Sequence, residues 1–80
     1  MKFWYVYILE SITDGTFYTG ITEDLRARLK KHNAGEVPHS AKHCSWRIKT
    51  AVAFTDKARA IAFERYLKSS SGRAFAKKRL

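Results

Sequence analysis

Leu25, Arg28, Leu29 and His32 recur at the i, i+3, i+4, i+7 spacing that gathers side chains on one helix face, so a guanidinium interrupts an otherwise apolar stripe. Ala60, Phe63, Glu64 and Leu67 repeat the pattern with a carboxylate in the same place. A charge withdrawn from water needs a counter-charge, hydrogen bonds or a metal ion to offset its desolvation. Two readings follow. Arg28 and Glu64 pair with each other, or snorkel past Leu29 and Phe63 to water, and serve stability alone. Alternatively both lie at one cleft, Glu64 holding a divalent cation and Arg28 a phosphate.

Other side chains bear on the same chemistry. Tyr5, Tyr7 and Tyr18 are by default core aromatics, and Tyr5 is read as one. A phenol, with an ordinary pKa near 10, accepts a proton only where nearby cations stabilise phenolate, a service Arg28 or a metal could give Tyr7 or Tyr18. His32, one turn beyond Arg28, is placed to shuttle a proton or contact phosphate, or simply to pack. His39, His43 and Cys44 suggest zinc, but a structural zinc site takes four ligands and no fourth is evident. Lys77, Lys78 and Arg79 form a basic run suited to tracking phosphates, as well as to facing solvent.

These residues must be held by few elements. The apolar run Phe3 to Leu9 predicts a central strand covered on both faces, and Thr13-Asp14-Gly15 a turn into a second strand over residues 16–21. Thr22 is a candidate cap for a helix over residues 23–34, stopped by Gly35. Residues 36–45 have no period and read as a loop. A third strand runs from Trp46 through Phe54, and Thr55 and Asp56 open a second helix to about Lys68. Ser69-Ser70-Ser71-Gly72 breaks it, and a short basic helix resumes from Arg73 to Leu80. The predicted order is ββαβαα, an α+β fold in one domain over residues 1–80.

Sixteen Lys and Arg against seven Asp and Glu give a net charge of +9, and the isoelectric point lies near 10.1. That balance points to a nucleic-acid partner. The basic residues are spread from Lys2 to Arg79 rather than gathered on one amphipathic helix, which argues against a membrane-surface role. A 45% hydrophobic content argues against disorder, no apolar run is long enough to span a bilayer, and one cysteine allows no internal disulfide. With no leader-like opening, a cytoplasmic setting is expected.

Tyr5-Val6-Tyr7, Tyr18-Thr19-Gly20, Arg28, His32 and Glu64, in that order and on those elements, resemble the GIY-YIG nuclease superfamily. The whole chain is most similar to its small single-domain bacterial members, themselves likened to the nuclease module of the excinuclease that acts in DNA repair. The resemblance implies a three-stranded antiparallel sheet flanked by helices, and endonuclease activity on nucleic acid, DNA being the first expectation. It further implies one Mg²⁺ or Mn²⁺ ion on Glu64. Tyr7 would accept a proton from the attacking water or orient it, Tyr18 would line the cleft, Arg28 would stabilise phosphorane charge, and His32 would move a proton or bind phosphate. Lys31, Lys42, Arg73, Lys77 and Lys78 are the candidate nucleic-acid contacts. The first motif reads Tyr-Val-Tyr where the family name has Gly-Ile-Tyr, and Ser69, Ser70, Ser71 and Arg73 stand where many relatives carry an amide. The alternative is a non-catalytic nucleic-acid-binding domain with the same fold.

Overall fold

Eight consecutive residues of mostly β-branched and aromatic type form the first strand of the computed structural model, which describes residues 2–80. Strand β1 (Trp4–Ser11) lies between β2 (Phe17–Thr22) and β3 (Trp46–Phe54), antiparallel to both, in the order β2-β1-β3. Helix α1 (Leu25–Asn33) follows β2, while α2 (Lys57–Leu67) and α3 (Ser70–Arg79) follow β3. The order is ββαβαα, with one added 3₁₀ turn over Ala41–His43.

Val6, Tyr7, Ile8 and Leu9 are all buried because helices cover both faces of the central strand. Val6 and Ile8 pack with Ala60 and Leu67 of α2, with Phe63, Ala76 and Leu80 around them. Tyr7 and Leu9 face the other way, against Trp46, Tyr18, Leu25, Leu29 and Cys44. On β3 the register slips between Ile8 and Leu9, so Ile8 pairs with Thr50, Leu9 pairs with Ile48, and Lys49 is the extra residue. Such a bulge reverses the alternation. Trp46 therefore faces the α1 layer although it shares parity with Val52 and Phe54, which face α2 and α3.

Several element ends differ from the sequence expectation. Asp24, not Thr22, caps α1, its carboxylate accepting from the Ala27 N–H. Thr22 instead accepts from the Asp24 N–H, a local turn that sets up the cap. Asp56 caps α2 as expected, accepting from Ala58 and Arg59. Helix α3 begins at Ser70, three residues ahead of expectation, because Ser69 caps it through Gly72 N–H. Gly72 lies inside the first turn, where a Cβ would overlap the Tyr66 carbonyl and sit 2.7 Å from Leu67 Cα. The glycine thus serves a tight α2–α3 junction rather than a break. No helix among the described residues is long and apolar enough to cross a membrane.

Candidate active site

Strand pairing sets Tyr7 opposite Gly20, and the phenol ring lies across the glycine. A Cβ on Gly20 would come within 2.6 Å of Tyr7 Cζ and closer still to its hydroxyl, so the last residue of Tyr18-Thr19-Gly20 is the space the phenol occupies. The Tyr7 hydroxyl then meets His32 Nε2 at 3.1 Å, and His32 Nδ1 meets Ser40 Oγ at 2.6 Å. Tyr18 packs edge-on against His32, ring centroids 4.6 Å apart, and stacks beside Tyr7 at 6.4 Å. Tyr7, His32 and Ser40 are all fully buried.

Arg28 sits on the same helix face as His32, with its Nε buried and without a hydrogen-bond partner. Burial pushes the Tyr7 phenol up to about 12, against the Arg28 guanidinium, whose charge and hydrogen bond pull it down. Tyr18 and Glu64 are near enough to raise it further. Burial, and then Arg28, lower the His32 imidazole below its ordinary value. The five positions Tyr7, Tyr18, Arg28, His32 and Glu64 therefore share one electrostatic neighbourhood. Within it Tyr7 is a poor free base, because nothing beside it outweighs its desolvation.

Glu64 does not pair with Arg28. Its carboxylate is held by Lys68, one turn along α2, at 2.9 Å, and the side chain is 17% exposed against 53% for Lys68. A carboxylate whose companion is a half-exposed lysine can exchange that companion for another cation. No three His, Cys, Asp or Glu side chains among the described residues are grouped to hold a metal. A single carboxylate suits Mg²⁺, which keeps most of its water and completes its shell with phosphate oxygens.

The remaining sequence candidates separate. Lys31 lines a cleft of about 120 Å³ together with Arg28, Thr22 and Asp24. Arg73 and Lys77 line a larger groove of about 920 Å³, joined there by Lys49 and Lys68 over a floor of Ile8, Phe17, Leu67 and Ala76. Lys42, on the 3₁₀ turn, and Lys78, exposed on α3, belong to neither. His43 bonds Asp14 at 2.6 Å, Cys44 donates to the His32 carbonyl, and His39 edges the larger groove, so these three serve separate purposes. Asp14 is held well below the usual carboxylate range, first by hydrogen bonds from Thr16 and then by His43. Ser40, Lys49 and Lys68 carried no signal in the sequence pattern: one lies in an aperiodic loop, one at a bulge, one at a helix end.

Against known proteins, the GIY-YIG catalytic-domain profile matches residues 3–79. The chain is 38% identical over 68 residues to a UPF0213 protein of Lacticaseibacillus paracasei, covering 84% of this chain and 75% of that protein. A UPF0213 protein of Streptococcus sanguinis is 42% identical over 53 residues, 66% of this chain and 56% of the relative. The NMR structure of a UPF0213 protein from Bacillus halodurans superposes with a TM-score of 0.58 at 36% identity, covering 94% of this chain and 80% of that one. With its profile match running nearly end to end and its sheet in the order β2-β1-β3, the chain belongs to the GIY-YIG family of nuclease catalytic domains.

Proposed function

We propose that the chain is an endonuclease that hydrolyses phosphodiester bonds in DNA with one Mg²⁺ or Mn²⁺ ion. The observation that carries this reading is the orphaned Arg28 Nε, a buried donor on the residue whose charge acts on the phenol–imidazole pair. Leaving a buried donor unpaired is costly, and a phosphate oxygen is the acceptor best suited to a guanidinium. Glu64 would hold the ion in exchange for Lys68, and the ion would neutralise charge on the phosphate and leaving oxygen.

The protein's own groups supply the rest. Arg28 holds the scissile phosphate, assisted from the same cleft by Lys31. Water attacks phosphorus as its proton passes to the Tyr7 oxygen, while the phenol's own proton passes to His32 Nε2. No free phenolate need accumulate, which accommodates a phenol pushed up to about 12. The P–O bond breaks, its electron pair leaves with the departing oxygen, and solvent supplies that oxygen's proton. Flanking phosphates run past Arg73 and Lys77 in the larger groove.

The test is cleavage of single-stranded, duplex and branched DNA, and of RNA, with and without Mg²⁺ or Mn²⁺, by wild type and Glu64→Ala. Metal-dependent cleavage of DNA that the variant lacks is the expected result. Equal cleavage by both proteins rejects Glu64 as the metal site. Salt-sensitive binding with substrate intact under every metal leaves a nucleic-acid-binding domain instead.

A further inference from the structure

The hydrogen bonds around the Tyr7 hydroxyl can be ordered by asking where each donor must go. The phenol O–H of Tyr7 needs an acceptor, and His32 Nε2, 3.1 Å away, is the one beside it. If Nε2 accepts, the neutral ring carries its hydrogen on Nδ1, 2.6 Å from Ser40 Oγ. Ser40 in turn donates to the Val37 carbonyl at 3.3 Å. Every donor in the chain from Tyr7 through His32 and Ser40 to the Val37 carbonyl is then matched. With the other tautomer, Nδ1 would need the one Ser40 hydroxyl hydrogen, which the Val37 carbonyl already accepts, and the phenol hydrogen would face an Nε2–H instead of an acceptor.

We infer that Ser40 is a positioning residue that fixes the Nδ1–H tautomer of His32, leaving Nε2 free to take a proton from Tyr7. The inference rests on the proposed hydrolysis for its purpose, though not for its geometry. Around Ser40 the aperiodic loop is pinned. Trp46 Nε1 donates to the Ser40 carbonyl at 3.1 Å, Cys44 Sγ donates to the His32 carbonyl at 3.0 Å, and Asn33 bonds the Trp46 backbone in both directions at 2.6 and 3.1 Å. The loop is thus locked against the end of α1 and the start of β3, where Oγ must meet Nδ1. Catalytic imidazoles elsewhere are held in one tautomer by a group on the far nitrogen, and the same physics applies here.

The experiment is ¹⁵N NMR of the imidazole nitrogens in wild type, Ser40→Ala and Ser40→Thr, alongside cleavage rates and melting curves. In wild type at pH 8, His32 Nε2 should resonate as an unprotonated acceptor and Nδ1 as a protonated nitrogen. Ser40→Ala should bring a mixture of tautomers and lower the cleavage rate by about tenfold or more, within what general-base catalysis contributes. Ser40→Thr, which keeps the hydroxyl, should restore both. A wild-type spectrum with the hydrogen on Nε2, or a Ser40→Ala protein with unchanged tautomer, overturns the inference. The wild-type spectrum needs no variant to fold. If the tautomer is as inferred but no DNA is cut, the assignment of Ser40 stands and the nuclease reading fails.

Discussion

The two faces of the sheet are built on opposite principles. On the α1 face the Tyr7, His32 and Ser40 side chains are buried, and each of their polar atoms has an assigned partner. On α2, Glu64 pairs with a half-exposed lysine, Lys68, which itself edges a groove together with Lys49, Arg73 and Lys77. The first arrangement suits groups that must hold a fixed geometry, because a buried polar network tolerates few alternatives. The second suits groups that must trade partners, because an exposed ion pair is worth only about 0.2–1 kcal/mol and yields readily to a better counter-ion. The difference separates the groups suited to moving a proton from a carboxylate suited to trading cations, with Arg28 and Glu64 both near enough to act on the Tyr7 phenol.

Glu64→Gln is the severest challenge to that division. It keeps the shape of the side chain and removes the charge, so metal-dependent cleavage should fall by about a thousandfold, several kcal/mol of transition-state stabilisation. The melting temperature should scarcely move, since the i,i+4 pair with Lys68 contributes about 0.3–0.5 kcal/mol. Calorimetric titration with Mn²⁺ should lose its binding isotherm in parallel. A variant that unfolds instead would place Glu64 with the sealed face.

Gly20→Ala attacks the other side with the smallest possible group. The new methyl must displace the Tyr7 ring from its place over the glycine, at a stability cost of about 1–3 kcal/mol for overpacking. Urea denaturation should read that loss, and the phenol displaced from His32 should shift the imidazole ¹⁵N signals. Unchanged stability would mean that the α1 face is looser than its hydrogen bonds indicate.

Titration sharpens the same contrast. His32 is held below its ordinary value by burial and by Arg28, with Tyr7 and Tyr18 the neighbouring phenols. The folded imidazole therefore binds fewer protons than the unfolded one, whose pKa is about 6.5. Its contribution to stability is present above that value and is lost as pH falls towards the lower folded value. Urea midpoints should decline through this window, and less steeply in Arg28→Met, where one of the two depressing influences is gone. Tyr7 acts at the alkaline end. Its stabilisation is complete below the unfolded value of 10.0 and is lost as pH climbs towards about 12.

How much of this was legible in sequence divides along similar lines. The element order could be read because the Asp14-Gly15 turn, the Asp56 cap and the apolar run of β1 are local signals. Arg28 and Glu64 stood out because a charge in an apolar stripe needs only helical spacing to be noticed. Ser40 did not, because its role depends on a loop folding back over α1, a tertiary event with no periodic trace. Lys49 was equally invisible, because a bulge is decided by two strands together and leaves no mark in either one alone. The Glu64 partner also escaped, since helical spacing offers Lys68 and tertiary packing offers Arg28, and only the folded chain chooses between them.

The smallest effects belong to the groove, where each cation is exposed and acts alone. Arg73→Ala and Lys77→Ala should each weaken DNA binding uniformly across sequences and reduce the slope of log K against log salt by about 1, as expected when one phosphate is no longer neutralised. Lys78→Ala, on the same helix but outside the groove lining, should change the slope less. Fluorescence anisotropy across a salt series reads all three, and the double variant of Arg73 and Lys77 should lower the slope by the sum, since independent phosphate interactions add. Equal effects at all three positions would mean that net charge rather than groove shape sets affinity. In that case the α2–α3 face attracts DNA without steering it, and register at the scissile bond would fall to Arg28 and the cleft it shares with Lys31.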